Sequence, residues 1–132
     1  MNNKFLFNSN KKHKISSSKS QRQLKVAEEL RHIISSALLR ESFYDEYIKN
    51  NNITITEVNV SPDLKNAIVY MMPLGGINKI DVLNSLNKIT GRLKKIISNN
   101  INLRQTPKLT FKIDETFEYA KNIHDILDKI KK

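Results

Sequence analysis

The segment ITITEVNV (Ile53–Val60), the turn signature SPD (Ser61 to Asp63) and the run NAIVYMM (Asn66 to Met72) constrain this chain more than any other stretch. Both flanks are rich in β-branched residues, and Pro62 presets its own dihedral in the turn. A connection this short joins two strands as an antiparallel pair. The first strand carries a further instruction. Ile53 and Ile55 fall on odd positions, Val58 and Val60 on even ones. A regular strand cannot turn all four to one face, so the pattern predicts a bulge near Glu57.

The flanking segments read as helices. Leu24, Ala27, Ile34 and Leu38, with Leu30 and Ala37 beside them, recur at three- and four-residue spacing, which predicts a helix near 21–40 with Ser20 as its N-cap. Arg22, Lys25 and Arg31 then project from its outer side. SFYDEYIKNNN (Ser42 to Asn52) reads as a helical turn and a loop. PLGG (Pro73 to Gly76) is a turn, since its glycine pair lacks the spacing of a phosphate loop. Val82, Leu86, Ile89, Leu93 and Ile96 form one helical stripe, and Lys88, Arg92, Lys95 and Asn99 form a second, basic one. Gly91 interrupts this pattern within NKITGRLKK. A glycine costs a helix interior about 1 kcal/mol relative to alanine, so Gly91 is predicted to break one helix into two. After Pro107, LTFKI (Leu109 to Ile113) is a third strand. DETFEY (Asp114 to Tyr119) then opens a last helix running to about Ile130, with Ile123, Ile126, Leu127 and Ile130 inward. The order α-β-β-α-α-β-α predicts an α+β fold. Its three-stranded sheet carries a parallel crossover between the second and third strands and helices on one face.

At 132 residues the chain is the size of one domain with a tail. Residues 1–19 are polar, serine-rich and without apolar period. They are predicted to be a disordered basic arm, either an RNA-touching segment or a solvated tail, ahead of a domain at 20–132. The absence of cysteine excludes disulfides and thiolate metal sites. The longest apolar run, AIVYMMPL (Ala67 to Leu74), is too short to span a bilayer, and Phe5, Leu6 and Phe7 are too few for a signal-peptide core. A soluble, cytoplasmic protein with no membrane partner is expected. The formal net charge is +10, and residues 1–22 hold Lys4, Lys11, Lys12, Lys14, Lys19 and Arg22 with no acid. A nucleic acid is the commonest partner of so basic a small chain, although a merely basic, soluble surface is the other reading and charge alone does not decide between them. No catalytic constellation, metal site or cofactor motif is expected. His13, His32 and His124 are scattered, and a helix start accounts for Asp114, Glu115 and Glu118.

The element order resembles the type II KH arrangement with one extra C-terminal helix. KH domains hold single-stranded RNA with a GxxG loop between their central helices. Here Ile89-Thr90-Gly91 stands in that place. The chain resembles ribosome-binding factor A, a family of bacterial assembly factors in which an AxG kink replaces the loop. The resemblance rests on RQLKVAEELRHIISSALLRE (Arg22 to Glu41), on ITITEVNVSPDLKNAIVYMMPLG (Ile53 to Gly75), and on LNKITGRLKKII (Leu86 to Ile97) through LRQTPKLTFKIDETFEYAKNIHDIL (Leu103 to Leu127). It spans about residues 20–130. Ile89 departs from the family's kink alanine.

The resemblance implies a KH-like type II fold and binding to the immature small (30S) ribosomal subunit through 16S rRNA or its precursor. It also implies a part in late maturation, notably in the cold, and assembly GTPases as neighbours. A monomer is expected. Arg22, Lys25, Lys88, Arg92, Lys95 and Arg104 are expected to form one RNA-binding patch that neutralises phosphates. The alternative is a generic RNA-binding KH-like module that stacks bases on exposed aromatics. Phe43, Tyr44 and Tyr47 are the loose aromatic cluster, and packing against the first helix is their expected role.

Overall fold

A computed structural model describes residues 19–116 together with 126 and 127. Among them Lys19–Ile113 form one compact unit. The arm at 1–18, most of the expected last helix, and with them His13, Glu118, Ile123, His124 and Ile130, lie outside the described residues. Glu115, Thr116, Ile126 and Leu127 are helical. Ile126 and Leu127, expected to face inward, are 56% and 52% exposed.

Helix α1 (Gln21–Arg40) starts where Ser20 allows it. The Ser20 hydroxyl accepts from the Gln23 N–H, and the Gln23 side chain accepts from the Ser20 N–H, a reciprocal capping box. Gln23 is buried, and its amide nitrogen donates to the Val60 carbonyl at the end of the first strand (2.9 Å). That bond sets the rotation of the helix. The buried face is Gln23, Val26, Leu30, Ile34 and Ala37. Leu24, predicted to face inward, is half exposed. The backbone carbonyl needs a polar partner, and apolar spacing alone cannot register one.

A short helix α2 (Glu46–Asn50), capped by the Asp45 carboxylate, buries Ile48. Strand β1 (Ile53–Val60) then pairs antiparallel with β2 (Asn66–Pro73), and β2 pairs in parallel with β3 (Lys108–Ile113), giving the order β1-β2-β3. The register of β1 shifts between Ile55 and Glu57, leaving Thr56 as the extra residue. With that bulge three cross-strand rows align: Ile55, Met71 and Ile113; Val58, Val69 and Phe111; Val60, Ala67 and Leu109. All but Ile113 are buried.

After β2, Gly75 and Gly76 take left-handed conformations (φ +74° and +69°), which glycine adopts without steric cost. Helix α3 (Lys79–Lys88) packs on β2, β3 and α2, and helix α4 (Thr90–Asn100) packs on α1 and β3. Val82, Leu86, Leu93 and Ile97 are fully buried between these layers. Burying a side chain of this size contributes about 1.5–3 kcal/mol. The result is an α+β domain of KH-like type II order, with a three-stranded mixed sheet covered by α1, α3 and α4.

Candidate nucleic-acid interface

The helical break falls within Ile89-Thr90-Gly91, as expected, but at Ile89 and not at Gly91. Ile89, at φ −97° and ψ 9°, both ends α3 and precedes α4. Its N–H reaches back only three residues, to the Leu86 carbonyl. The Thr90 hydroxyl donates to the Asn87 carbonyl (3.3 Å), offering that acceptor an alternative to the helical ladder. Gly91 sits inside α4, its φ is not positive, and a Cβ there would meet nothing within 4 Å. The break therefore does not require glycine. The neighbouring Asn87 side chain turns to the sheet, where its Oδ1 accepts from the Phe111 N–H (3.1 Å). That amide belongs to the outer edge of β3, since Lys108 on the alternate position donates inward to Lys65. Asn87 thus satisfies one outward amide of that edge.

Of the six basic residues predicted to form one patch, Arg22 and Arg104 lie at the N-terminal end of α1 and Arg92 at its C-terminal end. The Arg92 guanidinium donates to the Ser42 carbonyl (2.6 Å), approaches the Glu41 carboxylate (3.4 Å) and stands 4.8 Å over the Phe43 ring. These contacts join the start of α4 to the linker after α1. Lys88 and Lys95 are exposed beside the break, as is Lys94, which falls outside the predicted stripe. Of the aromatic cluster, Phe43 is buried as expected, whereas Tyr47 is 40% and Tyr44 fully exposed.

At the N-terminal end, Arg22 and Arg104 line a depression of about 500 Å³ together with Lys65, Leu64, Asp63 and Gln105. Lys25 is exposed one turn further along α1. Lys65 carries no signal of its own in the sequence. It belongs to a loop without periodicity, and only the pairing of β2 with β3 brings it beside the α4–β3 connection. The loop is tightly held. Ser61 N–H donates to the Asn66 carbonyl, Leu64 N–H to the Ser61 carbonyl, and Lys108 N–H to the Lys65 carbonyl. The Ser61 hydroxyl and the Lys65 N–H both donate to Asp63 Oδ1 (2.6 and 3.0 Å). The Ser61 hydroxyl, the Lys65 amide and the Lys65 charge hold the Asp63 carboxyl below the usual carboxylate range. Nearby, Lys19 donates to Asn59 Oδ1. Burial pushes the Lys19 ammonium pKa down, and Glu57 opposes that shift.

A helix of 20 residues rising 1.5 Å each is about 30 Å long. Arg22 and Arg92 therefore stand too far apart to grip one phosphate. Among the described residues no group of three or more His, Asp or Glu is placed to hold a metal, and no helix is long and apolar enough to cross a membrane.

The family model for ribosome-binding factor A matches residues 22–127. A ribosome-binding factor A of Paramagnetospirillum magneticum is 45% identical over 109 residues, covering 83% of this chain and 77% of its own length. One from Ruegeria pomeroyi is 39% identical over 110 residues, covering 83% and 84%. Among solved structures, the crystal structure of ribosome-binding factor A from Thermus thermophilus superimposes with a TM-score of 0.62 at 17% identity, over 70% of this chain and 96% of its own. A homology model of the Thermus thermophilus factor, fitted into a cryo-EM map of its 30S complex, gives 0.53 at 17% identity over 65% and 88%. At such identity these two speak to the fold, while the matched model and the closer sequences establish descent: the chain belongs to the ribosome-binding factor A family.

Proposed function

We propose that the protein binds the immature small ribosomal subunit through its rRNA and assists late 16S rRNA maturation in the cytoplasm, notably at low temperature, without catalysing a reaction itself. The observation that carries this reading is the family match over residues 22–127. The Thermus thermophilus relative fitted into a 30S complex supports the same partner. The exposed cations at both ends of α1 suit a polyanion, and neutralising phosphates with Lys and Arg releases counterions.

Sedimentation tests the reading. Purified protein is mixed at moderate salt with separated small subunits, large subunits and assembled ribosomes. Comigration with free small subunits, most of all immature ones, is expected, and equal binding to every particle would reduce the function to generic RNA binding. One observation favours that second reading. Tyr44 is fully exposed and available to stack a base. Equal affinity for a short unstructured RNA and for small subunits would establish it.

A further inference from the structure

We propose that the depression between the N-terminus of α1, the β1–β2 loop and the α4–β3 connection is an anion site. It takes a phosphodiester of the RNA backbone and makes a stronger electrostatic contact than the kinked helix does. The inference rests on the RNA-binding reading above and adds to it where the charge is delivered.

Three cations converge there from separate elements: Arg22 from α1, Lys65 from the β1–β2 loop and Arg104 from the connection into β3. All three are exposed. Among the described residues none of their side chains is held in an ion pair, in contrast to Arg92 with Glu41 and Arg31 with Glu28. The one carboxylate lining the depression, Asp63, accepts from Ser61 and from the Lys65 amide and shapes the loop, and three cations facing this single anion leave an excess of positive charge. The Lys65 backbone is fixed at both its N–H and its carbonyl. Leu64 beside it is left-handed at φ +62°, a conformation that a leucine keeps only where its surroundings dictate it. The start of α1 adds the positive end of a 20-residue helix to the same region. The volume suits a phosphodiester with its sugar. A contact to the backbone phosphate positions the RNA and carries no sequence information of its own.

The test compares two variants of equal charge on the full chain. Arg22→Gln/Lys65→Gln/Arg104→Gln removes the depression's cations, and Lys88→Gln/Lys94→Gln/Lys95→Gln removes those beside the break. All six side chains are exposed, and thermal melts check that both variants fold. Binding to small subunits is read across a salt series. The first variant is expected to lose at least about tenfold in affinity, with the log–log salt slope falling by about two to three, the value for three phosphate contacts. The second should lose less than about threefold. An unchanged slope in the first variant, or equal losses in both, overturns the site. A second measurement stands apart from the ribosome. Amide NMR shifts are followed as an oligouridylate of about a dozen nucleotides is added to the wild type. Shifts centred on Arg22, Lys65 and Arg104 support the site, and shifts confined to Lys88–Lys95 and Tyr44 overturn it. If the wild type shows no preference for small subunits, the ribosomal reading falls and the NMR result still decides the site.

Discussion

At one end of α1, Arg92 is folded into the protein, stacked on Phe43 and bonded to the linker at Glu41 and Ser42. At the other end, Arg22, Lys65 and Arg104 are held out of it around a depression. The residue types are alike, and so is their formal charge. The difference lies in what surrounds them. The kink end mixes cations with Glu41, Asp45 and Glu46, and it uses its arginine to fasten α4 to α1. The far end commits its single lining carboxylate to a loop. On the proposal above, a count of basic residues along a helix misjudges where a polyanion binds, because Arg92 shares its guanidinium among a carbonyl, a carboxylate and a ring.

Substitutions at the two ends of α1 test whether they differ in this way. The largest effect is expected at the far end, from Gln23→Ala. Gln23 is buried, caps Ser20 and donates to the Val60 carbonyl. Removing it leaves a buried acceptor without its partner, and denaturant unfolding should show a loss of about 2 kcal/mol. Arg22 stands next to it on the first turn, so RNA affinity should fall as well.

Arg92→Ala is the matching change at the kink end. Its side chain is 44% exposed, so the clamp contributes only about 1 kcal/mol in a thermal melt. The salt slope of RNA binding should stay near that of the wild type. A slope reduced by about one with unchanged stability would make Arg92 a phosphate ligand instead.

Gly91→Ala should move in the opposite direction. The residue is helical and has open space at its Cβ, so the substitution is expected to stabilise by about 0.5–1 kcal/mol. Destabilisation would restore glycine as the source of the break.

The smallest effect concerns Asp63. Its carboxyl is held below the usual range mainly by the Ser61 hydroxyl and then by the Lys65 amide. A group with a depressed folded pKa contributes stability that is complete above its ordinary pKa and is lost as pH falls through the lowered one. A carboxyl titration by NMR should place Asp63 below a model aspartate, and Ser61→Ala should raise it toward that reference.

Much of this architecture is legible in the sequence. The parity conflict in ITITEVNV announces the bulge because a strand's side chains alternate strictly, and two parities cannot share a face without an extra residue. Ser20 announces the start of α1. Other features are not legible, for physical reasons. The rotation of α1 depends on a polar contact between Gln23 and Val60, 37 residues apart, and a pattern of apolar residues carries no trace of it. Gly91 draws attention as the weakest helix former nearby, yet the backbone departs at Ile89, where hydrogen bonding shifts by one residue. The basic residues are recognisable as a class. Their division into a clamp and a site depends on contacts between segments far apart in the chain, and Lys65 joins the site only through the parallel pairing of β2 with β3.

Ultraviolet crosslinking of the wild-type protein to small subunits, with the RNA-bearing peptides identified by mass spectrometry, decides which end of α1 meets the RNA. Adducts are expected on the peptides that contain Lys65 and Arg104, with fewer from those that contain Lys94 and Lys95. Adducts confined to the kinked helix and Tyr44 would contradict it, and would return the RNA contact to the end of the molecule where a KH domain carries its loop.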